Sequence, residues 1–312
     1  MNKASRIYVA GAGTMIGRAI AEELRGRGHT GVLPGAEGEP DLTDRRAVDA
    51  FFADHRPEVV FVAAGRSGGI GLNRKAPADL LLDNALVSAH LIDAAHRSGV
   101  RKLLYLASSC VYPRDCPQPM KPEYIMTGRF EPTNEAYATG KLAGLVLCQA
   151  YRQQHDADFI VGIPSTPFGP GDHFDPENSH VVGALIRKMH EAKIRAEPSV
   201  GIWGTGAPRR DFIFARDLAS ACCCVMDRYD GDEPINLGCN ATATIAELAD
   251  LVRQVVGFRG ELIYDRSKPD GMPIKSLDAA PLRDLGWRST TGLAEALELT
   301  YEAYLSASAP AP

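Results

Sequence analysis

Tyr137 and Lys141, four positions apart in Asn134-Glu-Ala-Tyr137-Ala-Thr-Gly-Lys141, are the residues of this 312-residue chain best placed to do chemistry. On a helix, residues i and i+4 share a face. A phenol, with an ordinary pKa of about 10, is a poor proton donor to a carbonyl at neutral pH unless a nearby ammonium stabilises its phenolate. Lys141 stands where it can supply that charge. Upstream, Ser108-Ser109-Cys110 adds hydroxyls and a thiol. Hydride addition to a ketone builds negative charge on oxygen, which needs a proton and a hydrogen-bond donor close by, and Tyr137, Lys141 and Ser108 are of the right types to provide them.

A lone Tyr-x-x-x-Lys is equally at home on an ordinary amphipathic helix, so its meaning comes from the surrounding elements. Arg6-Ile-Tyr-Val-Ala10 is a short β-rich run. It leads into Gly11-Ala-Gly13-Thr14-Met15-Ile16-Gly17, after which Ile16, Ala19, Ile20 and Leu24 follow at helical spacing. Strand, glycine turn and helix in that order allow backbone amides and a helix N-terminus to approach a pyrophosphate. A dinucleotide is the expected ligand, with Gly11, Gly13, Thr14, Met15, Ile16 and Gly17 as its contacts.

Further along, Val59 to Ala63, Lys102 to Leu106 and Phe159 to Ile163 read as strands, separated by helical patterns through Leu86, Leu91 and Ile92 and through Leu142, Leu145 and Val146. Such alternation predicts an α/β fold, a Rossmann-type doubly wound parallel sheet with helices on both faces. Ser108 then falls just beyond the carboxyl end of a strand, where open α/β sheets place their ligands. Beyond Pro164 the loops are rich in Pro, Gly and Asp, and shorter helical patterns cover Val181 to Ala192, Ala215 to Arg228, Thr244 to Val256 and Leu293 to Tyr304. Residues 1–165 are expected to form the dinucleotide-binding domain, completed by about 211–240. Residues 166–210 and 241–312 are assigned to a smaller C-terminal α/β lobe for substrate, with the Ser-Ala-Ser-Ala-Pro-Ala-Pro tail fraying.

A net charge of −5 gives no general attraction for nucleic acid or an anionic membrane surface, which leaves small molecules as partners. Met1-Asn-Lys-Ala-Ser-Arg shows no leader pattern, and no apolar run nears the ~20 residues that span a bilayer, so a soluble cytoplasmic protein is expected. The seven cysteines include Cys222-Cys223-Cys224, which lacks metal-ligand spacing and reads as a buried, reduced helix surface. No metal site is expected.

Together these segments resemble the extended short-chain dehydrogenase/reductases, in particular the branch that epimerises and reduces GDP-4-keto-6-deoxymannose. The resemblance covers nearly the whole chain. Its carriers are Gly68-Gly-Ile70, Pro77-Ala-Asp79, Ser108-Ser-Cys-Val-Tyr-Pro113, Glu131-Pro-Thr-Asn-Glu135, Tyr137 with Lys141, Asn178-Ser-His180, Trp203-Gly-Thr-Gly206 and Lys268-Pro-Asp-Gly271. It implies that Tyr137 protonates the carbon-4 oxygen of a nucleotide-diphosphate sugar, that Lys141 lowers the tyrosine pKa and binds the nicotinamide ribose, and that Ser108 donates to the developing alkoxide. It further implies an acid and base pair, Cys110 and His180, for epimerisation at carbons 3 and 5. Pro164, His180 and Asp41 become cofactor contacts, Lys188, Trp203, Arg210 and Lys275 become anchors of the nucleotide sugar, and a homodimer through a four-helix bundle is implied. The helices over Asn84 to Ala95 and Tyr137 to Ala150 carry apolar residues on more than one face, which suits such a bundle.

The departures from the family pattern bear on specificity. Basic residues that would grip the 2′-phosphate of NADPH are missing at Gly13 and throughout Leu33-Pro-Gly-Ala-Glu-Gly-Glu39. Glu37, 20 residues beyond Gly17, is placed to accept hydrogen bonds from ribose hydroxyls, so NADH is expected to serve at least as well as NADPH, the alternative being that Arg18 or an arginine of Asp44-Arg45-Arg46 holds the phosphate. In the substrate region, Arg66-Ser67 replaces Lys-Val, Pro164-Ser-Thr166-Pro167-Phe168-Gly169 replaces Pro-Thr-Asn-Leu-Tyr-Gly, and Ile274 stands where the family has an arginine. Loss of a bidentate donor is not a neutral exchange. Two alternatives therefore stay open: a plain 4-ketoreductase of another deoxysugar, for instance a dTDP-linked one, and a non-catalytic binder of nucleotide sugar or NAD(P).

Overall fold

The apolar runs become strands. β1 (Ile7–Ala10), α1 (Met15–Gly26), α2 (Arg45–His55), β2 (Val59–Val62), α3 (Ile70–Lys75), α4 (Pro77–Arg97), β3 (Lys102–Leu106), α5 (Glu135–His155) and β4 (Phe159–Pro164) make up the first half of the chain. There follow β5 (Thr166–Phe168), α6 (Val181–Ile194), β6 (Ser199–Trp203), β7 (Arg209–Phe214), α7 (Ala215–Arg228) and β8 (Ile235–Leu237). The chain closes with β9 (Thr242–Thr244), α8 (Ile245–Val256), β10 (Glu261–Asp265), β11 (Ile274–Lys275), α9 (Ala280–Asp284) and α10 (Leu293–Ser308). The structure is a computed structural model, and it describes residues 1–175, 179–268 and 270–308. Asn178 and Pro269 of the motifs quoted above, and residues 309–312 of the tail, lie outside the described residues.

Strands β1, β2, β3, β4 and β8 lie side by side in that order, every pair parallel. All four residues of β2 are buried, as they must be when helices cover both faces of a sheet. On one face α4 and α5 enclose Phe52, Val60, Leu91, Leu103, Tyr105 and Leu145. On the other, α1 and α7 close over Ile7, Phe61, Leu104, Ile160 and Leu218, with Cys222, Cys223 and Cys224 buried among them. A third core, with Phe168, Ile186, Ile202, Leu248 and Leu297, belongs to the lobe, where β7 pairs in parallel with β5 and β11 and antiparallel with β9.

The chain order reverses at β1. Val32 bridges to Ile7 on its outer side, while β2 lies on its inner side. Ligands of open α/β sheets bind outside the carboxyl ends of the strands at such a reversal. Gly11 and Ala63-Ala64-Gly65 stand there.

One boundary differs from the sequence expectation. Leu277 joins the first core, and Leu282 and Trp287 join the second, so the stretch from 277 to 287 packs with the dinucleotide-binding half rather than with the lobe assigned to 241–312. Three scattered apolar side chains in a loop-rich segment carry no periodicity that would reveal which core they enter. Among the described residues no helix is long and apolar enough to cross a membrane, and no group of three or more His, Cys, Asp or Glu is placed to hold a metal.

Helix α5 lies close on β3 because Gly144 has no side chain: a Cβ there would stand 2.4 Å from Tyr105 Cζ and 2.8 Å from Ser88 Oγ. Tyr105 is fully buried and its hydroxyl donates to Lys141 O at 3.1 Å, so it has nowhere to go. Gly144→Ala is expected to lower the unfolding free energy by about 1–3 kcal/mol. Urea denaturation measures this directly, and an unchanged midpoint would contradict the close packing.

Candidate active site

Gly11 leaves β1 with φ of 85°, the left-handed region that favours glycine, and a Cβ at this position would lie 2.7 Å from Ala64 Cα. A Cβ on Gly17 would stand 2.0 Å from Gly11 O. The turn is therefore as tight as backbone allows. Thr14 caps α1, its Oγ1 accepting from Gly17 N at 3.0 Å and donating to Gly11 O at 2.8 Å. Met15 and Ile16 occupy the first turn, which contains no acidic residue, and Gly13 is exposed at the tip. An uncluttered helix N-terminus of this kind fits a pyrophosphate. Gly65, with φ of 125°, leaves a second hollow after β2, where a Cβ would meet Asn84 Oδ1 at 2.4 Å and Lys141 Nζ at 3.2 Å. The two hollows fit a dinucleotide laid across the ends of β1 and β2.

Two acids lie in the loop that faces the glycine turn. Glu37 is exposed on a short 3-10 turn, Ala36–Gly38. Two residues on, Glu39 accepts the Gly11 N–H at 2.6 Å and the Tyr8 hydroxyl at 3.1 Å, and burial raises its pKa. Counting residues from Gly17 could not anticipate how this loop folds back. Asp41 accepts from Thr43 N and Thr43 Oγ1 at 2.9 and 2.7 Å, bonds that hold its pKa below the usual value and shape the entry into α2.

Ser108 ends the β3 segment, and its Oγ accepts the Cys110 N–H at 3.2 Å, which turns the chain into the short 3-10 helix Ser109–Val111. Across from it, Tyr137 sits in the first turn of α5. Burial, and then the neighbouring Cys110, push the phenol above its ordinary pKa, while a hydrogen bond with Ser108 acts in the opposite direction. The phenol is thus neutral and carries its proton. Lys141, 7% exposed, donates to Ala64 O at 3.1 Å and Leu106 O at 3.2 Å, with its Nζ 5.3 Å from the centre of the Tyr105 ring. Burial brings it down to about 8. The expected lowering of Tyr137 by Lys141 is not seen in this geometry: the ammonium points at the two carbonyls, and burial decides the state of the phenol.

The second cluster centres on the Cys110 sulfur. Lys275 Nζ donates to it at 3.3 Å and Asn134 Nδ2 at 3.2 Å. Lys275 lies on β11 in register with Arg210 on β7. Burial lowers the pKa of Arg210, and Cys110, Asp270 and Glu131 counter that effect. His180 precedes α6, its pKa lowered by burial and then by Lys275 and His173, so its imidazole is neutral at pH 7. Lys275 thus faces both Cys110 and His180. Pro164 ends β4, beside the buried Ser165 hydroxyl, which has no partner among the described residues. Lys188 Nζ donates to Gly201 O at 2.8 Å, and Trp203, 60% exposed, has Lys268 Nζ 5.6 Å from its ring.

Asn134 and Ser165 have no functional role in the sequence reading. Asn134 lies within the quoted Glu131 to Glu135 segment, and its place directly before the Tyr137 helix was the available signal. Arg66 pairs with Asp79 and Asp83 of α4 at 3.4 and 3.3 Å, and Ile274 is 41% exposed.

A glycine cradle at the sheet reversal, joined to a Ser-Tyr-Lys group whose lysine is buried, defines a dinucleotide-dependent oxidoreductase. Residues 7–238 match the NAD dependent epimerase/dehydratase family, and the chain belongs to that family. It is 45% identical over 304 residues to GDP-L-fucose synthase 1 of Arabidopsis thaliana, covering 97% of this chain and 94% of the relative. Among solved structures it is similar to a GDP-6-OMe-4-keto-L-xylo-heptose reductase from C. jejuni, with a TM-score of 0.93, 29% identity, and coverage of 98% of this chain and 99% of that one. It is also similar to a GDP-L-fucose synthetase from Naegleria fowleri bound to NADP, with a TM-score of 0.90, 26% identity, and coverage of 98% and 95%.

Lys141 loses its ammonium as pH rises through about 8. Since kcat/KM reports the ionisations of the free enzyme, it is expected to fall above that pH. Lys141→Met is expected to reduce kcat at pH 7 by roughly 10²–10⁴-fold and to abolish that limb. A wild-type profile flat to pH 10 would contradict the assignment.

Proposed function

We propose that this enzyme uses NAD(P)H to reduce carbon 4 of a GDP-bound 4-keto-6-deoxyhexose, after inverting carbons 3 and 5 in the same pocket. The observation that carries this reading is the convergence of the Lys275 ammonium and the Asn134 carboxamide on the Cys110 sulfur, within the turn that begins at Ser108. A ketone acidifies the hydrogens on the carbons beside it. Inversion takes a proton from one face of the sugar and delivers another to the opposite face, with Cys110 and His180 as the acid and base pair, each regaining its starting protonation state by exchange with solvent. When bound, the nicotinamide supplies the hydride to carbon 4. Tyr137, a neutral phenol, gives its proton to the carbon-4 oxygen while the Ser108 hydroxyl donates to the same atom. Lys141 holds the ends of β2 and β3 together beneath them and presents its charge to the cofactor ribose. Arg210 and Lys275 face the diphosphate, whose charge calls for two or three cations.

The reading extends to NADH serving at least as well as NADPH. No lysine or arginine lies between Leu33 and Glu39, the Glu39 carboxylate stands at the glycine turn, and Arg45 is engaged with Asp93 at 3.2 Å. It also extends to a homodimer through α4 and α5, which leave Leu82 58% and Val146 42% exposed. A second reading, a 4-ketoreductase of a differently activated deoxysugar, is favoured by the exposed Ile274 at the position where the family has an arginine.

Purified enzyme is to be incubated with GDP-4-keto-6-deoxymannose and, separately, dTDP-4-keto-6-deoxyglucose, each with NADH and NADPH, following nicotinamide absorbance and identifying products by NMR. Conversion of the GDP sugar to GDP-L-fucose with either cofactor is expected. Turnover of the dTDP sugar alone, or an unepimerised product, would establish the second reading, and a hundredfold preference for NADPH would refute the NADH assignment. Absence of any hydride transfer would point to a binding protein.

A further inference from the structure

Asn134 occupies the N-cap position of α5: its carbonyl accepts Ala138 N at 2.9 Å, and its own N–H donates to Glu131 O at 3.0 Å. Asparagine is among the preferred N-cap residues because its side-chain oxygen accepts an orphan amide of the first turn. Here the side chain makes no capping bond. Its Nδ2 instead reaches the Cys110 sulfur at 3.2 Å, and its Oδ1 is buried with no hydrogen-bond partner among the described residues. A carboxamide that gives up the cap, turns its donor to a thiol and leaves a buried acceptor unused is held in place for something other than helix stability.

We propose that Asn134 is the positioning residue of the epimerisation half-reaction: its side-chain N–H holds the Cys110 sulfur and supports its charge. The proposal rests on the reading of Cys110 as one member of the proton-carrying pair. In whichever direction the proton moves, sulfur is negative at one end of the transfer, and a donor at that atom stabilises the thiolate. The groups facing Cys110 come from three further places. Lys275 on β11 donates to the sulfur at 3.3 Å, Arg210 on β7 and Tyr137 on α5 lie within electrostatic reach, and the Ser108 hydroxyl accepts the Cys110 backbone N–H. Of the two side chains that donate to the sulfur, Lys275 and Asn134, Asn134 is the one without charge.

Two variants separate positioning from capping. Asn134→Ser keeps a good N-cap but is too short to reach the sulfur, while Asn134→Asp keeps the shape and replaces the donor with an anion. The rate of Cys110 alkylation by iodoacetamide between pH 6 and 9, read on the Cys110 peptide by mass spectrometry, needs only the protein itself. Alkylation at pH 7 is expected to slow several-fold in Asn134→Ser and roughly tenfold in Asn134→Asp, with the thermal midpoint of the serine variant unchanged. With GDP-4-keto-6-deoxymannose, the share of product left unepimerised is expected to rise in both. Unchanged alkylation in both variants overturns the proposal, as does a fall in melting temperature of Asn134→Ser with no change in alkylation. Slowed alkylation in an enzyme that turns over no GDP sugar would uphold the link between Asn134 and Cys110 while refuting the substrate assignment.

Discussion

A buried ammonium joins the ends of two strands, and the rest of the site is arranged around it. Lys141 reaches from α5 to carbonyls just past β2 and at the end of β3. Burying a cation is costly unless its donors are satisfied, and carbonyls at the carboxyl edge of a parallel sheet are the acceptors on offer. The cation in turn fixes how deeply α5 settles. Gly140 and Gly144 remove the side chains that would hold the helix off α4 and off Tyr105, and Tyr105 closes the space below, bonding Lys141 O through its hydroxyl. Tyr137, one turn earlier on the same face, is thereby carried to Ser108.

In the function proposed above, a single turn of chain after β3 serves two kinds of chemistry. Ser108 faces the Tyr137 phenol. Its own Oγ holds the amide of Cys110, whose sulfur faces the lobe. The lobe contributes Lys275 and Arg210 from adjacent positions of neighbouring strands, and the Trp203 to Gly206 loop is tied behind them, Asp270 accepting from Thr205 N at 2.7 Å. On the proposed reading, hydride chemistry is built by the sheet and its helices, and carbon-acid chemistry needs the lobe as well.

Much of the sheet and half of the site were legible in the sequence, for local reasons. Strands covered on both faces are apolar throughout, so Val59 to Val62 and Phe159 to Ile163 announce themselves. The glycine turn and the Tyr137 and Lys141 pair are each contained within one element and its flank. What could not be read depends on distant parts meeting. Cys110 and Lys275 are 165 positions apart and come together only because β11 pairs with β7. The contact of Glu39 with the Gly11 N–H depends on the path of a loop, which carries no sequence pattern. Asn134 stands at the N-cap of α5, and its missing capping bond is visible only in the structure.

If one pocket performs both reactions, the solvent must leave its mark on the sugar. Turnover of GDP-4-keto-6-deoxymannose in D2O, followed by mass spectrometry and NMR of the product, should place deuterium at carbons 3 and 5 with the wild-type enzyme. Cys110→Ala should still oxidise NAD(P)H while yielding a product without deuterium at those carbons. A wild-type product reduced at carbon 4 but free of deuterium at carbons 3 and 5 would contradict the union of the two chemistries at the end of β3.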